Sequence, residues 1–389
     1  MNLTIEQPNE PNEGIVFSVN SLLAHLQQIT DPRKVRGVRY PLVILLVLLI
    51  LAKLGGEDSM KGMAEWVRLR EQALLRLLRV DRERLPHQTT YERVLAELDI
   101  EEVEQVMGNF FAQQLSGNMT ITLDGKVLRG TIPPGDTQGT HLLAAYVPEQ
   151  GIVLMQVEVD SKANEITAAP QLLEAVDLRD CVVTGDAMFT QQTLCDQIVL
   201  AGGDYIFPVK DNHPTMRRTI ADLFMPAPVT PGHGAVRLPE MVTQTVSNGH
   251  GRIERRYLTV SSQLNDYLDW PHLGQVFRLQ RVVHHTQTGK LTYQVVFGIT
   301  SLTAADCSPE HLMYLLRTHW HIENRLHFVR DVTFHEDACP IRHTRRQRIL
   351  ACLNNLVIGL IRQFNQFDYV PEARRFFSVN FDQALQLLL

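Results

Sequence analysis

Apolar residues recur with two different periods along the chain. Between residues 17 and 117 they return every three to four positions, the spacing of one helix face. SLLAHLQQI reads as a first helix, with Ser18 or Ser21 as its N-cap and Asp31-Pro32 as its stop. A run of uncharged residues, Pro41 to Ala52 (PLVILLVLLILA), reads as a second helix stopped by Gly55-Gly56. Ser59 to Leu78 carries Met63, Trp66, Val67, Leu74, Leu75 and Leu78 on one stripe. Thr90 to Leu98 and Glu101 to Leu115 complete the set. No strand pattern precedes residue 118. The pattern predicts an all-helical N-terminal domain over 17–117, behind a disordered tail over 1–16.

The period changes at Gly117-Asn118. MTITLDGKVLRGT alternates apolar and polar, and HLLAAYV and GIVLMQVEV follow across a Pro148-Glu149-Gln150 turn. A short helix over Thr167–Val176, the compact strand CVVTGD, a helix QQTLCDQIVLA capped by Thr190, and the strand DYIFPVK come next. Neighbouring strands on short turns form hairpins, and strands separated by helices add parallel by right-handed crossovers. The order predicts an α/β fold with a mixed five-stranded sheet of RNase H-like plan. Residues 225–305 contain only strand-like runs and predict an all-β insertion. Helices resume from Pro309 to about Val329 and from Arg345 to Phe364.

Composition narrows the classes. At 44% hydrophobic and 21% charged residues the chain is globular, which excludes disordered, collagenous and disulfide-stapled proteins. Cys181, Cys195, Cys307, Cys339 and Cys352 are widely spaced and form no CxxC pair, so reduced thiols and a cytoplasmic location are expected. The 41–52 run is shorter than the roughly 20 apolar residues of a spanning helix. A buried helix and no membrane partner are therefore expected; partitioning of this segment into membranes would support the opposite reading.

The net charge of -6, from 37 Lys+Arg against 43 Asp+Glu, argues at first against a nucleic-acid partner. Its distribution changes that. Between Arg93 and Lys126 stand Glu97, Asp99, Glu101, Glu102, Glu104 and Asp124, with no Lys or Arg. The rest of the chain is neutral, and its bases cluster: Arg33, Lys34, Arg36 and Arg39; Arg252, Arg255 and Arg256; Arg342, Arg345, Arg346 and Arg348. Such clusters near a carboxylate site suit a phosphate backbone, although each alone also fits a solvated face.

Three acids are candidates for that site. Asp124 and Asp186 each follow an apolar strand at neighbouring sheet positions, next to a glycine. Strand-end carboxylates suit hard divalent cations, and they also suit plain turns. Glu323 borders the stripe Leu312, Leu315, Leu316, Ile322, Leu326 and Val329. An acid there needs a metal or a cationic partner such as Arg325 or Arg330. His335, Cys339 and His343 stand four apart, but Pro340 breaks any helix that would align them for zinc. No nucleophile elbow and no Gly-rich phosphate loop is present.

Seven stretches together resemble one known family: DPRKVRGVRYPL, LDGKVLRGT, KANEITAAPQLLEAVDL, VVTGDAMFTQ, FPVKDNHP, HGRIERR and HWHIENRLHFVRDVTFHED. The chain resembles the DDE transposases of bacterial insertion sequences, in the H-repeat-associated branch. The resemblance covers nearly the whole chain. It implies a catalytic triad of Asp124, Asp186 and Glu323 holding two Mg²⁺ or Mn²⁺ ions. It implies an RNase H-like catalytic domain over 118–389 and an N-terminal domain for DNA or partner recognition. It implies insertion-sequence terminal repeats and target DNA as partners, and a homodimer on DNA. It also implies phosphate contacts by Lys126, Arg129, Lys210 and Asn212. In the broader superfamily a Tyr–Arg–Glu–Lys pattern surrounds the glutamate; here Leu316, His319 and Arg330 fill the other three slots, and the branch's own HWxIEN pattern is matched instead. His319, Arg330, Arg342, Arg345 and Arg346 are the remaining candidate DNA contacts. The activity implied is metal-dependent cleavage and strand transfer; a nuclease that cuts without joining, or a DNA-binding remnant without catalysis, are the alternatives.

Overall fold

The computed structural model describes residues 21–389 apart from 37, 116, 133–134, 136, 138, 160–163, 226–240, 250, 340 and 342. The expected 1–16 tail and the start of the 225–305 region lie outside the described residues. The elements run α1 (Leu22–Leu26), α2 (Leu42–Leu54), α3 (Met60–Leu69), α4 (Glu71–Leu77), α5 (Gln88–Glu97), α6 (Ile100–Ala112), β1 (Met119–Leu128), β2 (Thr140–Val147), β3 (Ile152–Val159), α7 (Glu165–Glu174), β4 (Cys181–Gly185), α8 (Gln192–Leu200), β5 (Asp204–Val209) and α9 (Pro214–Leu223). They continue through β6 (Met241–Gly249), β7 (Arg252–Ser261), β8 (Gln275–His285), β9 (Leu291–Thr300), α10 (Pro309–Thr318), α11 (Thr344–Phe364), α12 (Val370–Val379) and α13 (Phe381–Gln386). The chain is thus mixed α/β, with helices at its N-terminus and large-sheet strands after them. It divides into two compact units, one within Met1–Ser116, Gly125–Ser161 and Ile322–Leu389, the other within Gly117–Asp124 and Lys162–His321.

In the first unit every residue of α2 is buried. Among the described residues no helix is long and apolar enough to cross a membrane; thirteen residues at 1.5 Å rise span about 20 Å, short of the roughly 30 Å hydrocarbon core. Ser21 and Ser59 cap α1 and α3 by accepting from Ala24 N and Gly62 N, and Asp99 caps α6 by accepting from Glu101 N and Glu102 N. Each cap satisfies amide donors that a helix start leaves unpaired. The single helix expected over 59–78 is instead two. It breaks at Arg70, whose guanidinium lies 4.3 Å from the Trp66 ring centre and donates to Ser378 O at 2.9 Å. The helix α6 packs on β3, and α11 packs on β3, α6, α5 and α2. Gly108 permits the first contact, because a Cβ there would stand 2.0 Å from Leu154 O. The sheet order in this unit is β3-β2-β1, with β2 and β3 antiparallel.

In the second unit the order is β1-β4-β5-β9-β8-β7-β6. β1 pairs parallel with β4, and β4 with β5; β9 then adds antiparallel to β5. The strands β6 to β9 are all antiparallel, and through β9 they extend the same sheet. Ile206, Leu258, Val260, Phe277, Leu312 and Met313 form one buried cluster that seats α10. Thr190 does not cap α8. Gln191 precedes that helix without a side-chain bond, and Thr190 Oγ1 donates to Pro208 O at 2.7 Å.

Candidate metal centre

The second unit brings two of the three candidate acids to adjoining strand positions. The parallel register runs Thr122↔Thr184 and Leu123↔Gly185, so Asp124 and Asp186 occupy the next step on neighbouring strands. The sequence suggested that Asp124 closes its strand. In the structure β1 continues through it to Leu128, and only the pairing with β4 ends there. Asp186 is extended and exposed, at the mouth of the 3-10 turn Ala187–Phe189. Gly185 makes that turn possible: a Cβ would meet Phe189 Cδ2 at 2.6 Å.

Two residues before the aspartates, the Thr122 and Thr184 hydroxyls lie 3.1 Å apart, and Thr184 Oγ1 is 3.2 Å from His319 Nδ1. Burial lowers the pKa of His319, against the upward pull of Asp186, and Lys210 lowers it further. This favours the neutral ring. Asn212 Nδ2 donates to Ala187 O at 2.7 Å, its Oδ1 accepts from Lys210 N at 3.2 Å, and His213 Nε2 stands 2.7 Å from Thr190 O. Asn212 therefore fixes the loop after β5 to the loop after β4. Lys210 beside it is exposed.

In the first unit Glu323 lies on an unexpected element. The sequence predicts one regular helix from Pro309 to about Val329. The structure ends α10 at Thr318 and continues in π-helical turns, Ile322–His327 and Val329–Thr333. Such wide turns are rare and concentrate at functional sites. Ile322 and Leu326 are buried beneath them and Glu323 is exposed. His327 Nδ1 is 3.8 Å from Glu323 Oε2. Burial, with Arg330 and Lys126 as neighbouring cations, pushes the His327 pKa down to about 3. This favours the neutral ring, the form in which histidine ligates metals. Asp124, Glu323 and His327 are side chains able to offer a ligand atom to a metal ion. The sequence signal for His327 is its four-residue spacing from Glu323.

Of the other expected phosphate contacts, two are committed elsewhere. Lys126 Nζ lies 2.6 Å from Asp331 Oδ1 and 3.6 Å from Asp337 Oδ1, with its side chain only 10% exposed. Arg330 is buried, with Nε 3.0 Å from both Glu336 oxygens and Nη2 2.8 Å from Oε1. Arg129 is exposed and 3.5 Å from Asp337. Arg345 Nη1 donates to Ala96 O at 3.3 Å, and Arg346 Nη1 is 3.9 Å from Glu92 Oε2. Arg342 lies outside the described residues.

Comparison with known proteins converges on one family. Residues 117–360 match the Transposase DDE domain model, and residues 23–111 match the DDE_Tnp_1-associated model. YncI of Escherichia coli O157:H7, a transposase by name, is 28% identical over 358 residues, covering 89% of this chain and 88% of that protein. YhhI of Escherichia coli K12, named as H repeat-associated, is 26% identical over 355 residues, covering 89% and 91%. An uncharacterized protein from the dhlA 3' region of Xanthobacter autotrophicus is 32% identical over 284 residues, covering 71% and 92%. Among solved structures, a piggyBac transposase synaptic complex with hairpin DNA aligns with 94% of this chain and 77% of that one, at 13% identity and a TM-score of 0.41.

Proposed function

The chain belongs to the transposase DDE domain family, and from that premise we propose that it cuts insertion-sequence ends and joins them to target DNA. Asp124, Asp186 and Glu323 are the proposed ligands of two Mg²⁺ or Mn²⁺ ions. The observation that carries this reading is the register of β1 on β4, which puts Asp124 and Asp186 at one step, inside the matched segment that also contains Glu323. The donor set fits: carboxylate oxygens suit hard cations, and the buried, neutral His327 beside Glu323 adds one nitrogen. Bound ions of this kind activate an attacking hydroxyl and stabilise a leaving oxygen in phosphoryl transfer.

The chain's own groups have separate tasks. Asn212 holds the loop that presents Lys210 beside Asp186, and Lys210 meets a DNA phosphate. His319, bonded to Thr184 in its neutral form, holds the strand row beneath Asp186. Exposed Arg129 and Arg345, with half-buried Arg346, extend the phosphate track. The antiparallel β2-β3 pair and the parallel run β1-β4-β5 support an RNase H-like core, with β6 to β9 as its insertion and α1 to α6 as the recognition region. The working form on DNA is a homodimer.

Incubating purified protein with Mg²⁺ and a DNA fragment bearing paired element ends tests this. Strand-transfer products that vanish with Asp124→Ala support it. Cleavage without joining identifies a nuclease, and cleavage unchanged by Asp124→Ala removes the site assignment.

A further inference from the structure

Lys126 follows Asp124 by two residues on β1, in the first unit's part of that strand. Its two carboxylate partners come from the segment that follows Glu323. Asp331, at 2.6 Å, belongs to the π-helical turn Val329–Thr333. Asp337, at 3.6 Å, belongs to the 3-10 turn Glu336–Ala338. Among the described residues Asp337 Oδ1 is buried without a hydrogen-bond partner; Lys126 faces this oxygen, and Arg129 faces the other one at 3.5 Å. The same segment is held from its other sides. Arg330 is locked to Glu336, which also accepts from Asn354 Nδ2 at 2.9 Å, and Arg374 Nη1 donates to Thr333 O at 2.7 Å.

A lysine at 10% exposure between two acids is poorly placed to meet a phosphate. A phosphate would have to strip it from partners that are themselves partly desolvated, leaving their charge uncompensated. An exposed lysine such as Lys210 pays no such cost. We propose that Lys126 and Asp331 are positioning residues, a clamp that holds the helical run bearing Glu323 to the strand bearing Asp124, and that Lys126 is not a DNA contact. This rests on the metal-centre reading above. Outer partners of metal ligands change affinity by about 10–100-fold when removed, because they fix ligand orientation.

The test uses the full chain and Mn²⁺ as probe, titrated calorimetrically without DNA, alongside DNA binding in EDTA and thermal melting. Lys126→Asp and Asp331→Lys are each expected to weaken Mn²⁺ binding about tenfold or more, with DNA affinity changed less than about twofold. The Lys126→Asp/Asp331→Lys double variant should recover most of the loss. If the swaps do not fold, Lys126→Met and Asp331→Asn replace them and should each lose Mn²⁺ affinity. Weakened DNA binding by the Lys126 variants with Mn²⁺ affinity intact overturns the clamp, and so does a folded swap that recovers nothing. Glu323→Gln separates the two levels. If it leaves cleavage and Mn²⁺ binding unchanged, the metal-centre reading itself fails; if it abolishes both while the swap recovers nothing, only the clamp fails.

Discussion

Leu123 and Gly185 face each other across the parallel pair of β1 and β4, and an aspartate follows each of them. Two carboxylates at adjoining strand positions repel unless a cation lies with them. Asp186→Asn should therefore leave the melting temperature in EDTA unchanged or higher. It should also remove the stabilisation that Mg²⁺ gives the native chain, about 2.7 kcal/mol at a hundredfold excess over Kd. Melting curves with and without Mg²⁺ measure both, and equal Mg²⁺ stabilisation of both proteins would exclude Asp186 as a ligand.

The adjoining positions of Asp124 and Asp186 were legible because each follows an apolar run and a parallel crossover brings β4 beside β1, although β1 itself runs on to Leu128. The π-helical form around Glu323 was not legible. A period of 3.6 and a wider turn differ by one residue in a short window, and the contacts that tie this run to distant segments are tertiary: Arg325 donating to Pro148 O and Arg374 donating to Thr333 O. The burial of Lys126 and Arg330 was hidden for the same reason. Their partners Asp331, Asp337 and Glu336 stood in plain sequence, but nothing local says which cations turn inward. α12 also escaped, since the phenylalanines that pack it, Phe364, Phe367, Phe376 and Phe377, follow no clear stripe.

Arg330 and Glu336 form a buried ion pair. Removing one partner of such a pair typically costs about 3–5 kcal/mol, because the other charge is left desolvated. Arg330→Ala and Glu336→Ala should each lose about that much in urea denaturation. The double Arg330→Met/Glu336→Leu should lose clearly less than the sum. Strict additivity would show that the two charges do not compensate each other.

Gly108 offers a purely steric test. Its absent Cβ is what lets α6 lie on β3 against Leu154 O. Gly108→Ala raises helix propensity by about 1 kcal/mol, yet overpacking against backbone typically costs about 1–3 kcal/mol. A net loss of stability is expected, and a gain would show that α6 can shift away from β3 at little cost.

Lys53 sits in the core of α2's surroundings, 1% exposed, donating to Asn354 Oδ1 at 2.6 Å. Burial pushes its pKa down to about 8, against the opposing pull of Asp58. The folded pKa is below the unfolded value of about 10.4. The unfolded chain therefore binds more protons between those values, and stability rises with pH across that window, by at most about 1.4 kcal/mol per unit. The gain is complete above the unfolded pKa and is lost as pH falls through about 8. Lys53→Met should flatten this part of the stability curve relative to the native chain, as read by urea denaturation between pH 7.5 and 10 (about the span of the two pKa values). An unchanged slope would mean that another group titrates there.

Lys210 and Lys126 were alike in sequence and differ in structure, so they should differ on DNA. Lys210 is exposed, and its backbone amide is fixed by Asn212 Oδ1. A lysine that neutralises one phosphate contributes about one unit to the slope of log affinity against log salt. Lys210→Ala should weaken binding to end-containing DNA at low salt and reduce that slope by about one unit. Asn212→Ala should produce a smaller loss, since it frees the loop while leaving the charge. Lys126→Met should leave the slope unchanged, because its charge already lies between Asp331 and Asp337. Affinities measured in EDTA over a salt series separate these outcomes. A slope reduced by Lys126→Met but not by Lys210→Ala would reverse the assignment of the two lysines.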